Sequence, residues 1–203
     1  VDCGSANGWK RPGETAARQL LSMGCRRLDW LILTHYDSDH VSGVPGLLER
    51  LEVDTLLVPR GGEDEGLRDA VLEAALEHGA AVRFVTEEEA LDLGRAALWV
   101  LPPVGRGGDN EEGLAVLAAA GDRELLITGD MDAATEAKLL EAYDLPDVEA
   151  LVAGHHGSKY ASSQRLLEAL EPETAFVSVG ANSYGHPAEE TLLRLARAGC
   201  DIY

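Results

Sequence analysis

The sequence predicts an α/β domain in which mixed sheets are covered by helices. Apolar, strand-like segments alternate with amphipathic, helix-like segments along the whole chain. Gly121 and Asp122 separate two of the apolar segments, which is the pattern of a β-hairpin and predicts at least one antiparallel pair of strands. The alternation and the hairpin together favour mixed sheets over purely parallel ones.

The predicted strands follow apolar runs that are bounded by glycine, proline or polar residues. Strand-like segments at residues 1–4 and 200–203 stand at the two ends of the given sequence, so we expect it to be a piece of a longer protein. The internal strands are predicted at residues 28–34, 55–58, 81–85, 97–101, 114–119, 124–128, 150–152 and 174–179.

The predicted helices follow amphipathic periodicity. Those at residues 14–23 and 66–78 stop before Gly24 and Gly79, because glycine is frequent directly after a helix. A length of 203 residues suits one domain with an ordinary core, so residues 1–203 are predicted to form a single domain. The remaining helices are predicted at residues 43–51, 132–143, 163–170 and 187–198.

The composition argues against several classes of protein, namely membrane-spanning, disulfide-rich and strongly basic nucleic-acid-binding proteins. No segment resembles a signal peptide or approaches the apolar length needed to span a bilayer, so the isolated domain is expected to be soluble. Three separated cysteines without a CxxC pair argue against a disulfide framework and a thiolate zinc site. The formal net charge of −19 argues against a broad basic surface for gripping nucleic acid.

One short segment concentrates side chains that bind metals. His35, Asp37, Asp39 and His40 fall within six residues, directly after the predicted strand at 28–34. Two divalent ions about 4 Å apart need such a density of carboxylate and imidazole ligands. The alternative is a polar loop in which the two aspartates form a turn or cap a helix.

Three further strand ends carry aspartate or histidine. Asp130 follows one predicted strand, where its carboxylate is suited either to bridging two metals or to an ordinary helix N-terminus. His155 and His156 follow the next strand and are flanked by glycines, a pattern common near metals or phosphates. His186 comes after a later strand. Because turns alone explain four such strand ends poorly, the sequence predicts a metal-dependent hydrolase.

The segment HYDSDH at residues 35–40 resembles the HxHxDH signature of the metallo-β-lactamase superfamily, with Asp37 in place of the second histidine. The opening VDCG, the later GD and the AGH that follows it resemble other motifs of that superfamily, in the same order. LTHYDSDHVSG, ITGD, HHGS followed by two serines, and NSYGHP together resemble the ComEC/Rec2 family of DNA-uptake (competence) proteins. The resemblance implies an αββα sandwich of two mixed sheets covered by helices.

The resemblance also implies two divalent metal ions. The superfamily's further histidine for the first ion has no match here, because the only histidine in that interval, His78, is predicted to end a helix. The oxygen-rich ligand set favours Mn²⁺, with Mg²⁺ or Zn²⁺ as alternatives. The choice between His155 and His156 stays open, and the spacing after the strand favours His155. The implied ligands are His35 and Asp37 for one ion, Asp39, His40 and His155 for the other, and Asp130 as the bridge.

The implied chemistry is hydrolysis of a phosphodiester. A water shared by two divalent ions has a lowered pKa and attacks phosphorus as a metal-bound hydroxide. Asp39 and Asp130 are therefore implied catalytic residues as well as ligands, and His156 or His186 is suited to protonate the departing oxygen. The implied substrate contacts are Ser158, Asn182 and His186.

The resemblance finally implies a biological setting. The domain would degrade the DNA strand that does not enter the cell during natural competence, beside a membrane channel and other domains of a parent protein. That parent would lie in the cytoplasmic membrane with this domain on its outer face. The charge predicts weak, non-specific DNA binding, and the isolated domain is expected to be monomeric. Two alternatives stay open: hydrolysis of a small phosphodiester or lactone, and a non-catalytic metal-binding domain that assembles the channel.

Overall fold

The computed structural model describes residues 1–6, 11–62, 64–108 and 110–203. The chain divides into two compact units, Val1–Thr86 and Glu87–Tyr203, and each has its own sheet and helices. That residues 1–203 act as a single hydrolase domain stays a prediction.

The first unit is built on a three-stranded parallel sheet in the order β1-β2-β3. Alternate strand residues, such as Leu31 and Leu56, are buried in one cluster with Ala17, Leu47 and Val71 from the helices. This burial explains why the strands are apolar and the helices amphipathic. The strands are β1 (Arg27–Ile32), β2 (Glu52–Val58) and β3 (Ala81–Phe84), and the helices are α1 (Pro12–Ser22), α2 (Ser38–Val41), α3 (Val44–Leu48) and α4 (Glu65–Glu77).

The second unit is built on a seven-stranded mixed sheet in the order β10-β9-β8-β7-β6-β5-β4. Strands β4 to β7 are antiparallel, whereas β7, β8, β9 and β10 run parallel to one another. The strands are β4 (Glu89–Asp92), β5 (Ala96–Leu101), β6 (Ala115–Ala120), β7 (Arg123–Ile127), β8 (Ala150–Val152), β9 (Thr174–Phe176) and β10 (Asp201–Ile202), and the helices are α5 (Ala133–Ala142), α6 (Gln164–Leu170) and α7 (Glu189–Arg197).

The core of the second unit joins its sheet to its helices. Leu126 and Leu151 on β7 and β8 cluster with Leu166, Leu170 and Leu195 on α6 and α7, and all five are fully buried. The parallel strands therefore end at one edge of this sheet, and the residues that follow them are brought close together. No helix within the described ranges is long and apolar enough to cross a bilayer.

The predicted hairpin is confirmed, with β6 and β7 antiparallel on either side of the turn at Gly121. The predicted strand at residues 1–4 is wrong. The backbone N–H of Asp2 donates to the Ile32 carbonyl oxygen and that of Cys3 donates to the His40 carbonyl oxygen, so the segment crosses the end of β1. Strand β4 was not predicted because it begins in an acidic run, at Glu89.

Candidate metal centre

A first cluster of polar side chains follows the end of β1. Leu33 still donates its N–H to the Leu57 carbonyl oxygen of β2, and the chain then leaves the sheet. The rings of His35 and His40 are both buried, with centroids 4.0 Å apart, and His35 Nε2 lies 3.6 Å from Asp37 Oδ2. Helix α2 begins directly afterwards and carries Asp39 in its first turn. The four predicted residues of this segment therefore lie together at the end of β1.

Asp2 holds the histidines of the first cluster, a role that the sequence did not reveal. Its Oδ2 lies 2.8 Å from His40 Nδ1, and its two oxygens accept hydrogen bonds from the backbone N–H and the hydroxyl of Thr34, each at 2.7 Å. Because the Thr34 hydroxyl donates to Asp2, it accepts from His35 Nδ1 at 2.9 Å. Both rings are thus held through Nδ1, as proteins orient histidines that bind a metal through Nε2.

The charge state of Asp2 agrees with this role. Burial alone raises the pKa of its carboxyl group, but the hydrogen bond and charge of His40, with the donors of Thr34, outweigh burial. The net pKa is therefore lowered from its ordinary value. Asp2 stays ionised at neutral pH and keeps a negative charge against the ring of His40.

The packing around Gly4 explains why the VDCG motif ends in glycine. A Cβ atom at this position would lie 2.4 Å from the backbone carbon and oxygen of Asp39 and 2.5 Å from the backbone carbon of His40. No side chain fits that space, so only glycine allows the first residues of the chain to pass beside α2. The adjacent Cys3 N–H donates to the His40 carbonyl oxygen at 2.7 Å and fixes the approach.

A second cluster lies at the edge where the parallel strands of the second unit end. Asp130 follows β7 and is 5% exposed. Its carboxylate oxygens lie 3.5 Å from His155 Nε2 and 3.9 Å from His156 Nε2. His156 is also held through Nδ1, which lies 2.8 Å from the Ser178 carbonyl oxygen after β9. Four residues that follow three strands, β7, β8 and β9, therefore meet within this unit.

The backbone of His155 and His156 is unusual. Both residues have left-handed backbone angles, with φ values of +49° and +54°. This conformation costs a residue with a side chain about 1 kcal/mol or more, so the surrounding structure must impose it. The N–H of His155 donates to the Gly129 carbonyl oxygen at 3.0 Å, and its carbonyl oxygen accepts from Ser158 N–H at 2.9 Å.

His186 joins the second cluster. Its ring centroid lies 5.7 Å from that of His155, and its buried Nδ1 has no hydrogen-bond partner within the described part of the chain. Burial lowers the pKa of His186, and the charges of His155 and His156 lower it further, against an opposing effect of Asp130. The structure thus places this predicted residue beside the others.

Ser158 and Asn182 are engaged in local structure. Ser158 is 2% exposed, and its hydroxyl oxygen accepts from the N–H of Tyr160. The exposed Asn182 amide donates to the carbonyl oxygens of Gly180 and His186 and accepts from two backbone N–H groups of the same loop. Their predicted contacts with substrate stay predictions. His78 is the C-cap of α4, as predicted, and its Nδ1 lies 2.9 Å from the Ala74 carbonyl oxygen.

Glu136 on α5 is fully buried and was not predicted as a residue of the site. Its backbone N–H belongs to the regular helix, and its side chain reaches the loop that follows His155 and His156. The available signal was its position: Leu139 and Leu140 stand three and four residues later, so Glu136 falls on the apolar stripe of the helix. An acidic residue at such a position is rarely buried without a partner.

The donor chemistry of each cluster fits divalent cations. Carboxylates and imidazoles are the ligands that Mn²⁺, Zn²⁺ and iron share in proteins. His35, His40 and His156 are each held through Nδ1 by an oxygen atom, which is how proteins orient histidines that bind a metal through Nε2. The donor atoms of both clusters suit divalent cations, and this orientation is seen at His35 and His40 in the first cluster and at His156 in the second.

Comparison with known proteins places the chain in a family. A family model described as the metallo-β-lactamase superfamily matches residues 1–181. The chain belongs to this superfamily. The predicted fold class is thereby confirmed. The crystal structure of the metallo-β-lactamase fold protein YhfI from Bacillus subtilis superposes with a TM-score of 0.59 at 12% identity, covering 100% of this chain and 82% of that chain.

Two curated relatives confirm the narrower resemblance to the competence family. The chain is 32% identical over 181 residues to ComE operon protein 3 of Bacillus subtilis (strain 168), covering 88% of this chain and 23% of that protein. It is also 32% identical over 193 residues to competence protein ComA of Neisseria gonorrhoeae, covering 90% of this chain and 25% of that protein. The chain therefore spans about a quarter of the length of these curated relatives.

Proposed function

We propose that this metallo-β-lactamase superfamily chain is a metal-dependent phosphodiesterase that cleaves DNA. The observation that carries the proposal is that the Thr34 hydroxyl and Asp2 hold the rings of His35 and His40 through Nδ1, as proteins orient histidines that bind a metal through Nε2. The proposed ligands of two divalent ions are those that the sequence predicts: His35, Asp37, Asp39, His40, Asp130 and His155.

The metal ions would supply, when bound, positive charge that activates a water and offsets charge on the phosphate oxygens. The chain's own residues orient the site and move the proton. Asp2 keeps a negative charge behind His40 and fixes its ring. His156 is fixed by the Ser178 carbonyl oxygen and is our proposed donor of the proton to the departing oxygen, through Nε2. His186 is the proposed contact to the phosphate.

The relatives support DNA as the substrate. One of them is named a competence protein, and the LTHYDSDHVSG and HHGS motifs belong to the same resemblance. With a formal net charge of −19, the chain alone would bind a polyanion weakly and without sequence preference. We therefore propose that other domains of a parent membrane protein deliver the DNA, on the outer face of the cytoplasmic membrane. Mn²⁺ is the proposed physiological ion because carboxylates form half of the proposed ligand set.

Cleavage of labelled single- and double-stranded DNA by the purified chain tests this proposal. The reaction is titrated with Mn²⁺, Mg²⁺ and Zn²⁺, and Asp39→Ala and His40→Ala are measured in parallel. Asp29→Ala is the matched control, because it removes one exposed carboxylate from β1 in the same unit. We expect metal-dependent cleavage that Asp39→Ala and His40→Ala abolish and Asp29→Ala preserves. No cleavage by folded, metal-loaded protein would contradict the assignment of DNA.

The charge of the chain favours a second candidate, a small phosphodiester as substrate. A small ester carries little charge and escapes the repulsion that an acidic surface exerts on DNA. Hydrolysis of bis(p-nitrophenyl) phosphate without cleavage of DNA would support this candidate. Hydrolysis of both substrates, lost together in Asp39→Ala, would support the nuclease.

A further inference from the structure

Two charged side chains hold the loop that follows the second cluster. We name residues 158–163 the clamped loop. Glu136 on α5 accepts hydrogen bonds from the backbone N–H groups of Ser162 at 2.6 Å and Ser163 at 2.8 Å. Arg194 on α7 donates to the carbonyl oxygen of Ser162 at 2.7 Å and to that of the preceding residue at 2.7 Å. An anion thus binds the donors of the loop while a cation binds its acceptors.

Glu136 is buried although burial disfavours the charged form of its carboxyl group, so its contacts must compensate for this cost. Burial raises the pKa of its carboxyl group, and the N–H donors of Ser163 and Ser162, together with the charge of Arg194, act in the opposite direction. An apolar residue on this stripe of α5 would pack without that cost. What Glu136 adds is a pair of short, directional hydrogen bonds to the backbone, and these fix the course of the loop.

The clamped loop reaches the histidine pair from both sides. On one side, the hydroxyl oxygen of Ser162 accepts from the N–H of Gly154, the residue before His155, at 3.0 Å. On the other side, Ser158 donates its N–H to the His155 carbonyl oxygen at 2.9 Å, and its own carbonyl oxygen accepts from the hydroxyl of Thr191 at 2.7 Å. The left-handed segment is therefore tied to the loop at its beginning and its end.

Packing around Gly154 makes the coupling tight. A Cβ atom there would lie 3.1 Å from Thr128 Oγ1, 3.2 Å from Ala161 Cβ and 3.6 Å from Glu136 Oε1. The residue before His155 thus fits between the end of β7 and the clamped loop, with little free space. A shift of the loop would have to move this residue as well.

We propose that Glu136 and Arg194 are positioning residues that hold His155 and His156, through the clamped loop, in the left-handed conformation in which His155 binds a metal ion. This inference deepens the proposed function and rests on it. It also explains why two serines follow the HHGS motif: the first bonds to Gly154, and the second caps α6 by accepting from the Leu166 N–H.

Calorimetric titration of the purified chain with Mn²⁺ tests this proposal, using Glu136→Gln. The substitution keeps the size of the side chain but puts an NH₂ group where one backbone N–H needs an acceptor. We expect the ion bound through His155 to bind about 10- to 100-fold more weakly, as when the support of a metal ligand is removed. The other ion should keep its affinity, which a general loss of stability would not allow.

Two control variants separate positioning from stability. Glu141→Gln makes the same chemical change on an exposed residue of α5 and should leave both binding steps unchanged. Leu170→Ala removes a fully buried side chain from the same unit and destabilises it without touching the clamped loop's hydrogen bonds. Unchanged binding in Glu136→Gln, or an equal loss in Leu170→Ala, would overturn the proposal.

Failure of the proposed function would be visible separately, in the wild-type titration. If the wild-type chain binds no Mn²⁺, amide hydrogen exchange still decides whether the clamp exists. Exchange at residues 154–163 should be faster in Glu136→Gln than in Leu170→Ala. Equal exchange in these two variants would overturn the structural part of the inference.

Discussion

The two clusters hold their histidines by different means. In the first cluster, the side chain of Asp2 contacts His40 directly and reaches His35 through one threonine hydroxyl. In the second cluster, the backbone of His155 and His156 takes a strained conformation that a neighbouring loop maintains. One cluster is therefore supported by side chains and the other largely by the backbone.

The supporting carboxylates differ in the same way. Asp2 faces a histidine, and its pKa is lowered. Glu136 accepts hydrogen bonds from backbone N–H groups of the clamped loop, and burial raises its pKa. The comparison indicates that ligands on one short segment and ligands from several strand ends are held in position by different contacts. Four residues on one short segment need a single anchor, whereas a site gathered from several strand ends needs a rigid loop.

The largest expected effects are on Mn²⁺ affinity in His155→Ala and on turnover in His156→Ala, and they show which of the two histidines binds the metal. His155→Ala removes a proposed ligand and should weaken Mn²⁺ binding by more than about 100-fold, since losing only the support of a ligand costs 10- to 100-fold. His156→Ala should leave Mn²⁺ affinity unchanged and lower turnover by about 10²- to 10⁴-fold, as loss of a general acid does. Titration and hydrolysis rates are measured on the same samples. The reverse result would make His156 the ligand.

The substitution Asp2→Asn tests whether one side chain supports both histidines of the first cluster. The change keeps the shape of the side chain but removes the charge facing His40 and one acceptor that Thr34 uses. Because both His35 and His40 depend on Asp2, we expect both Mn²⁺ binding steps to weaken, by about 10- to 100-fold. Calorimetry measures the two steps, with Asp29→Asn as the exposed control. A loss confined to one step would contradict this shared anchor.

Metal removal should change the stability of the folded chain. Ions that bind the folded state alone stabilise it by about 2.7 kcal/mol when present at 100 times their Kd. We expect Mn²⁺ to raise the thermal midpoint and a chelator to reverse the increase. Asp39→Ala should reduce this increase, whereas Asp29→Ala should not. An identical midpoint with and without Mn²⁺ in the wild-type chain would show that the clusters do not bind the ion.

The smallest expected effect concerns the N-terminus of α4. Asp64 caps α4 by accepting a hydrogen bond from the Leu67 N–H at 2.9 Å. Asp64→Ala should lower the free energy of unfolding by about 1 kcal/mol, the usual contribution of such a cap. Chemical denaturation measures this loss, and Mn²⁺ affinity should stay unchanged. A change in affinity would show that metal binding responds to stability in general.

Much of the fold followed from local patterns in the sequence. The hairpin at Gly121 was predictable because glycine adopts the turn conformation and apolar strands flank it. Strand β4 was not, because three acidic residues in a row hide a short edge strand. The segment at residues 1–4 was misread for a related reason: its apolar pattern matches a strand, but its hydrogen bonds go to Ile32 and His40.

The candidate site was predictable where ligands follow a strand directly. His35 and Asp130 could be predicted because each is a residue type that binds metals and each follows a predicted strand. Asp2 and Glu136 do not, because their function depends on contacts with residues 38 and 26 positions away, respectively. Such contacts arise only after the chain has folded, and a single sequence gives no direct sign of them.

The number of Mn²⁺ ions bound per chain tests the central claim most directly. Equilibrium dialysis of the purified chain, followed by elemental analysis, measures this number. The proposed function predicts two ions at saturation in the wild-type chain and fewer than two in both Asp39→Ala and Asp130→Ala. One ion or none in the folded wild-type chain would contradict a two-metal hydrolase and would favour the non-catalytic metal-binding domain that the sequence left open.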